Sequence, residues 1–208
     1  MDAAARGASD QLVGIIDVLL GLTLVEGALG YRSMFTQGST ANVAAILAMV
    51  LVYYTAVRSF VDWHLAMVAY PYRVLTEEVR TLELGRVLLD FVIMASYSFL
   101  ILRGHVLIGR PGSDLAAIAI TYPAVYFAYL VWGELLNRAY TERPFKRTLL
   151  FAVLLLSGAL LIVYLVGRDH GWLGADEEGL NIAFLSGELI LVYWFRHKNW
   201  SQQVILKK

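Results

Sequence analysis

Leu149–Val166 reads LLFAVLLLSGALLIVYLV and carries no charged side chain. A transmembrane β-strand is a segment of about ten residues that alternates apolar and polar positions. Leu149–Leu156 shows no such alternation. An unbroken apolar run of this length is what an α-helix needs to cross a hydrocarbon core of about 30 Å.

Comparable runs lie on both sides of it, at Leu12–Gly30, Ala41–Val57, Val87–Leu102, Leu115–Leu136 and Leu180–Phe195. The pattern predicts an all-α, polytopic membrane protein. It is expected to be a bundle of about six transmembrane helices, over 12–30, 41–57, 87–102, 115–136, 149–166 and 180–195, in one domain spanning 1–208. The composition agrees: 59% of residues are hydrophobic and the mean hydropathy is +0.62. Soluble domains are usually about 45–50% apolar.

Lys+Arg and Asp+Glu balance at 17 each. A neutral chain with no basic face is not built for nucleic acid. With no cysteine, disulfides, thiolate metal centres, covalent haem attachment and S-acylation are excluded. Met1–Asp10 lacks the basic region of a secretory signal, and the first apolar run contains Asp17 and Glu26. That run is read as a retained first span.

Basic residues set the expected orientation. With the N-terminus inside, 13 of the 17 Lys and Arg residues fall in cytoplasmic segments and 4 in outer ones. The positive-inside rule then favours N-in, C-in. The longest cytoplasmic segment joins spans two and three. Pro71 breaks it, and Thr76 is placed as an N-cap with Glu77 and Glu78 in the first turn. Leu75, Val79 and Leu82 recur at helical spacing against Glu77, Arg80 and Thr81. An amphipathic helix over about 76–86 is expected, either lying at the interface or extending span three.

A charge at the centre of a membrane helix costs at least ~2.5–3.5 kcal/mol on insertion scales. Each buried one therefore needs an explanation. The candidates for an ion path are Asp17, Glu26, Asp90, Glu134 and Glu188, with Arg58, Asp62 and Arg86 as an inner charge cluster. Gly14, Asp17, Gly21, Leu24 and Ala28 share one helix face, so Asp17 is expected at a close helix–helix contact. It is either a pore or proton site or an interhelical hydrogen bond. Glu26, nine residues on, faces about 180° away. Arg58 with Asp62, and Arg86 with Asp90, are spaced i,i+4 and can pair. They form either a neutralising cluster or an inner gate. Glu188 has only Phe184, Leu185, Leu191 and Val192 at i±3 and i±4. It must face another helix, water or a ligand, or be protonated. Asn181 lies on nearly the same face.

Tyr122, Tyr126 and Tyr129 form a stripe continued by Gly133, with Pro123 set in the same helix. The stripe either lines an aqueous path or packs with satisfied hydroxyls. Ser96, Tyr97 and Ser98 have the same two readings. The histidines His64, His105, His170 and His197 fall at predicted membrane edges, and no metal or haem site is suggested. Trp63, Trp172, Trp194 and Trp200 are read as interfacial anchors.

The window Gln11–Asp17, QLVGIID, is similar in one position to the six-helix bacterial relatives of the lysosomal potassium channel. Their first helix opens with Arg, three residues, then Phe-Ser-Asp. Asp17 agrees, and Gln11, Ile15 and Ile16 depart. His64, near the end of span two, is a second point of likeness, and the length and topology are alike. The likeness extends over a few residues.

Acids and hydroxyls in several spans, with almost no soluble mass, point to an ion channel or transporter subunit in the cell membrane. The alternative is a non-catalytic anchor, sensor or effector subunit of a larger complex. In either case the expected partners are the lipid bilayer and further copies or other subunits. No cofactor is implied. An enzyme is disfavoured, since there is no intramembrane Ser/His pair, metal-ligand cluster or phosphate loop.

Overall fold

The computed structural model describes residues 3–36, 43–108, 110, 113–141, 145, 147–171 and 177–198. The six predicted spans all form helices, each longer than its apolar run. They are α1 (Ala3–Thr36), α2 (Val43–Ala69), α3 (Arg80–Gly104), α4 (Ala116–Ala139), α5 (Arg147–His170) and α6 (Glu177–Lys198). Single 3-10 turns, Glu77–Val79 and His105–Leu107, flank α3. There is no strand among the described residues.

Five helices, α1 to α5, are long and apolar enough to cross a membrane. At 22 residues α6 has the length but not the apolarity, because it carries Asn181, Glu188 and Arg196 within its run. The outer surface is apolar: Val18, Leu22, Leu88, Phe127, Ile162 and Ile190 all point outward. An apolar surface of that extent belongs in lipid rather than water.

Helices α2, α3, α4, α5 and α6 close a ring, each packed on the next and α6 back on α2. The face α2 turns inward explains the fit. Ala44, Ala45, Ala48, Val52, Ala56, Ser59 and Ala66 are buried at helical spacing, and such small residues let helix backbones approach closely. Aromatic side chains fill the centre of the ring, Tyr122, Tyr126 and Trp132 of α4 among them. Helix α1 lies outside the ring against α3 and, less extensively, α2.

Two boundaries matter for the site. Helix α2 runs on to Ala69, not 57, so Arg58 and Asp62 sit inside it. Its charges do not end the helix because they are paired. The segment near 76–86 extends the third span, the second of the two expected arrangements: the turn Glu77–Val79 leads directly into α3. Thr76 holds the N-cap position with extended backbone, but its hydroxyl makes no capping bond. Val79 and Leu82 are half-buried and Glu77, Arg80 and Thr81 exposed, as the spacing predicts. Leu75 is exposed, and the most deeply buried residues here are the charged Glu83 and Arg86.

Candidate functional site: a buried chain of charged and hydroxyl side chains

Glu83, Arg86 and Asp90 follow a 3-4 spacing on α3, which places them on one inward face. All three are buried. Arg86 Nη1 donates to Glu83 Oε2 at 2.7 Å, and Nη2 donates to the Tyr70 carbonyl at 3.2 Å. Its guanidinium also lies over the rings of Tyr72 and Trp132, 5.2 and 5.0 Å from their centroids. The expected Arg86–Asp90 pair is therefore corrected to Arg86–Glu83. A helical side chain leans toward the N-terminus, so Arg86 reaches back to i−3. Asp90 Oδ2 is instead held by the Tyr72 hydroxyl and by Trp132 Nε1, the latter at 3.1 Å.

The connector between α2 and α3 supplies the lid of this cluster. Tyr72 is buried there, its amide donating to Ser9 Oγ of α1 at 3.1 Å. Burial and the adjacent Asp90 hold its phenol well above the ordinary value, so it stays a donor. Arg73 lies 3.8 Å from Glu83, donates to the Ala139 carbonyl and stacks over Tyr140. The Tyr140 hydroxyl donates to the Pro71 carbonyl at 2.5 Å.

A second cluster joins α2 to α6. Arg196 Nη1 donates to Asp62 Oδ2 at 2.7 Å, and Nη2 donates to Ser59 Oγ. Arg58, half-exposed, completes the group 3.3 Å from Asp62, as its i,i+4 spacing predicts. Hydroxyls continue from it: Ser59 and Tyr97 share a bond of 2.5 Å, and Tyr97 and Tyr129 one of 3.2 Å. A cavity of about 30 Å³, lined by Ser59, Trp63, Asp90, Tyr97 and Tyr129 with apolar neighbours, separates the two clusters. That volume suits one or two waters. Trp63, expected at the interface, is buried on this cavity instead. Trp194 is partly exposed, and Trp172 and Trp200 lie outside the described residues.

Glu188 lies deeper, fully buried on α6. It does face another helix: Ser157 of α5 donates to its Oε1 at 2.6 Å. Its Oε2 has no hydrogen-bond partner among the described residues, nor has the Tyr126 hydroxyl. Glu188 is close enough to act electrostatically on both Tyr122 and Tyr126. Asn181 is engaged elsewhere, accepting from the Tyr164 hydroxyl at 3.2 Å and donating to the Ser113 carbonyl at 3.0 Å.

The remaining candidates stand apart from this interior. Asp17 is half-exposed, with His64 Nδ1 at 3.7 Å. The seam around it is not packed as expected, because a side chain at Gly14 or Gly21 would meet nothing within 4 Å. Helix α1 turns Ile16, Leu20 and Gly27 inward instead. The Ile16 and Leu20 side chains bury more favourably than a face carrying Asp17. Glu26 is exposed. Glu134 lies at the α4–α5 corner between Arg138 and Arg147, at 3.3 and 3.5 Å.

Sequence reasoning passed over Glu83, Arg196, Ser59, Ser157, Tyr72 and Trp132. Two signals were present. Glu83–Arg86–Asp90 has the spacing of one face, and Asn181, Glu188 and Arg196 recur every seven or eight residues. Arg196 counted only as a basic residue beyond a span, although it reaches back into the bundle. Comparison of the chain with family models, with curated proteins and with solved structures finds no match.

Proposed function

We propose that the chain is a subunit of an ion-translocating membrane protein, and that the ion it handles is the proton. The observation that carries the reading is Glu188: a fully buried carboxyl with one hydroxyl donor and a second oxygen without a partner. Tyr129, Tyr97 and Ser59 are hydrogen-bonded in sequence to Arg196 of the Asp62–Arg196 pair. Tyr126, buried on the same helix as Tyr129, has a hydroxyl with no partner among the described residues. A hydroxyl both donates and accepts, so such groups can pass a proton where an arginine cannot. The small cavity beside them takes a water, not a hydrated metal cation.

In this reading all six helices cross the bilayer, N-in and C-in, with Asp62, Arg58 and the Glu83 cluster toward the cytoplasm. The chain resides in the cell membrane and works as a homo-oligomer or within a larger assembly. Proteoliposomes containing a trapped pH-sensitive dye test it under an imposed potassium diffusion potential. Wild-type protein is expected to move protons, and Glu188→Gln to lower the rate at least ~10-fold while leaving expression and melting temperature intact. Absence of proton movement by the wild type, or full movement by Glu188→Gln, overturns the reading.

A second reading, a non-catalytic anchor, sensor or effector subunit, is favoured by α1. Its Gly14 and Gly21 face has nothing packed on it, and half-exposed Asp17 lies on that side of the bundle. Proteoliposomes inert to ions, together with co-purification of a stoichiometric partner, would decide for it.

A further inference from the structure

We propose that an anionic phospholipid binds at the α4–α5 corner, its phosphate between Arg138 and Arg147 and one acyl chain along Leu130, Val131 and Leu135. Two hollows meet there. One, of about 970 Å³, is polar and is bordered by Arg73, Glu78, Tyr140 and Thr141 as well as the two arginines, so that with Glu134 three guanidiniums face two carboxylates. The other, of about 460 Å³, is mainly apolar and runs beside Leu130, Val131 and Leu135. Glu134, Arg138 and Arg147 line both. A polar chamber continuous with an apolar groove matches a molecule with a charged head and a hydrocarbon chain.

Charge selects the head. One carboxylate, Glu134, is shared by two guanidiniums, at 3.3 Å from Arg138 and 3.5 Å from Arg147. This trio carries one excess positive charge. The arginine side chains are 65% and 74% exposed, and each has five N–H donors in a fork that suits phosphate oxygens. The corner stands at the end of α4, a helix apolar enough to cross a membrane, so headgroups are at hand. Outward-pointing Phe127 continues the apolar surface one turn farther along α4. Basic pockets between membrane helices are a recognised means of holding acidic headgroups.

The test follows thermal unfolding of the purified full-length chain in neutral detergent. Phosphatidylglycerol, phosphatidylcholine and glycerol 3-phosphate are titrated separately. Phosphatidylglycerol is expected to raise the midpoint saturably, and the other two to have little effect. The double variant Arg138→Gln/Arg147→Gln should need on the order of tenfold more phosphatidylglycerol for half-saturation. Glu134→Gln removes the carboxylate that competes with the phosphate and should need less. An equal response to phosphatidylcholine would show a lipid site without charge selection. An equal response to glycerol 3-phosphate would show a phosphate site without a chain. Either result overturns the proposal, as does unchanged half-saturation in the double variant or weaker binding in Glu134→Gln.

Discussion

Arg196 on the last helix and Asp62 on the second meet at 2.7 Å in the buried core, although 134 residues separate them in sequence. Their side chains are 3% and 1% exposed. The bond ties α6 to α2 and closes the helical ring. Removing one member of such a pair leaves a buried charge uncompensated, which costs about 3–5 kcal/mol. Replacing both members by apolar residues of similar volume is often neutral or stabilising. Arg196→Met leaves Asp62 with half-exposed Arg58 as its ion partner, so it is expected to destabilise the detergent-solubilised protein by less than that amount. Asp62→Leu/Arg196→Met should recover most of the loss. Thermal or denaturant unfolding of the two variants measures it, and equal losses in both would show that the pair contributes through packing rather than charge.

Glycines divide into two classes by what lies beside them. A side chain at Gly133 would strike the Phe145 ring, whereas one at Gly21 would meet nothing within 4 Å. Overpacking a filled site costs about 1–3 kcal/mol, and Ala favours a helix over Gly by up to about 1 kcal/mol. Gly133→Ala is therefore expected to lower the melting temperature, and Gly21→Ala to leave it unchanged or raise it. If Gly21→Ala instead lowers the melting temperature or shifts the oligomeric state in size-exclusion chromatography, that face is packed against a second copy.

Tyr72 holds Asp90 through its hydroxyl from the connector between α2 and α3. Tyr72→Phe leaves the carboxylate with Trp132 as its remaining side-chain donor and should cost about 1–3 kcal/mol. The pH dependence has a definite sign. The phenol's folded value lies above its ordinary value of 10.0. Its contribution is thus fully present below pH 10 and is lost as pH rises above it. Wild-type stability should fall more steeply above pH 10 than that of Tyr72→Phe, which lacks this ionisation. Parallel curves for the two proteins in alkaline denaturant titrations would refute the assignment.

The orientation can be read with single thiols, since the chain has no cysteine of its own. Asp114 precedes α4 and Thr141 follows it, and both are exposed. In the N-in arrangement Asp114→Cys is labelled by a membrane-impermeant maleimide in intact cells, and Thr141→Cys only after permeabilisation. The opposite pattern inverts the topology, and with it the cytoplasmic placement of Arg58 and Asp62.

Hydropathy alone determined that the chain is helical and suited to a membrane. A run such as Leu149–Val166 leaves the backbone no other way to satisfy its hydrogen bonds in lipid, and that constraint acts on each segment separately. The facing of local groups was also legible where one helix decides it. Tyr122, Tyr126 and Tyr129 share a buried face, and Arg58 reaches Asp62. Pairing between helices was not legible. Arg196 looked like a residue beyond a span, Trp63 like an anchor, and Arg86 like a partner of Asp90. Arg196 and Trp63 found their neighbours because ring closure brought α6 onto α2 and set Trp63 on the interior cavity. Arg86 instead reached back along its own helix to Glu83 and left Asp90 to Tyr72 of the 70–76 connector. Asp17 stayed near the edge of the bundle because α1 packed outside the ring with Ile16 and Leu20 turned toward it. Sequence spacing gives the angle at which a side chain leaves its helix. Which helix stands at that angle, and how closely, depends on packing summed over all six, and that sum exists only in the folded bundle.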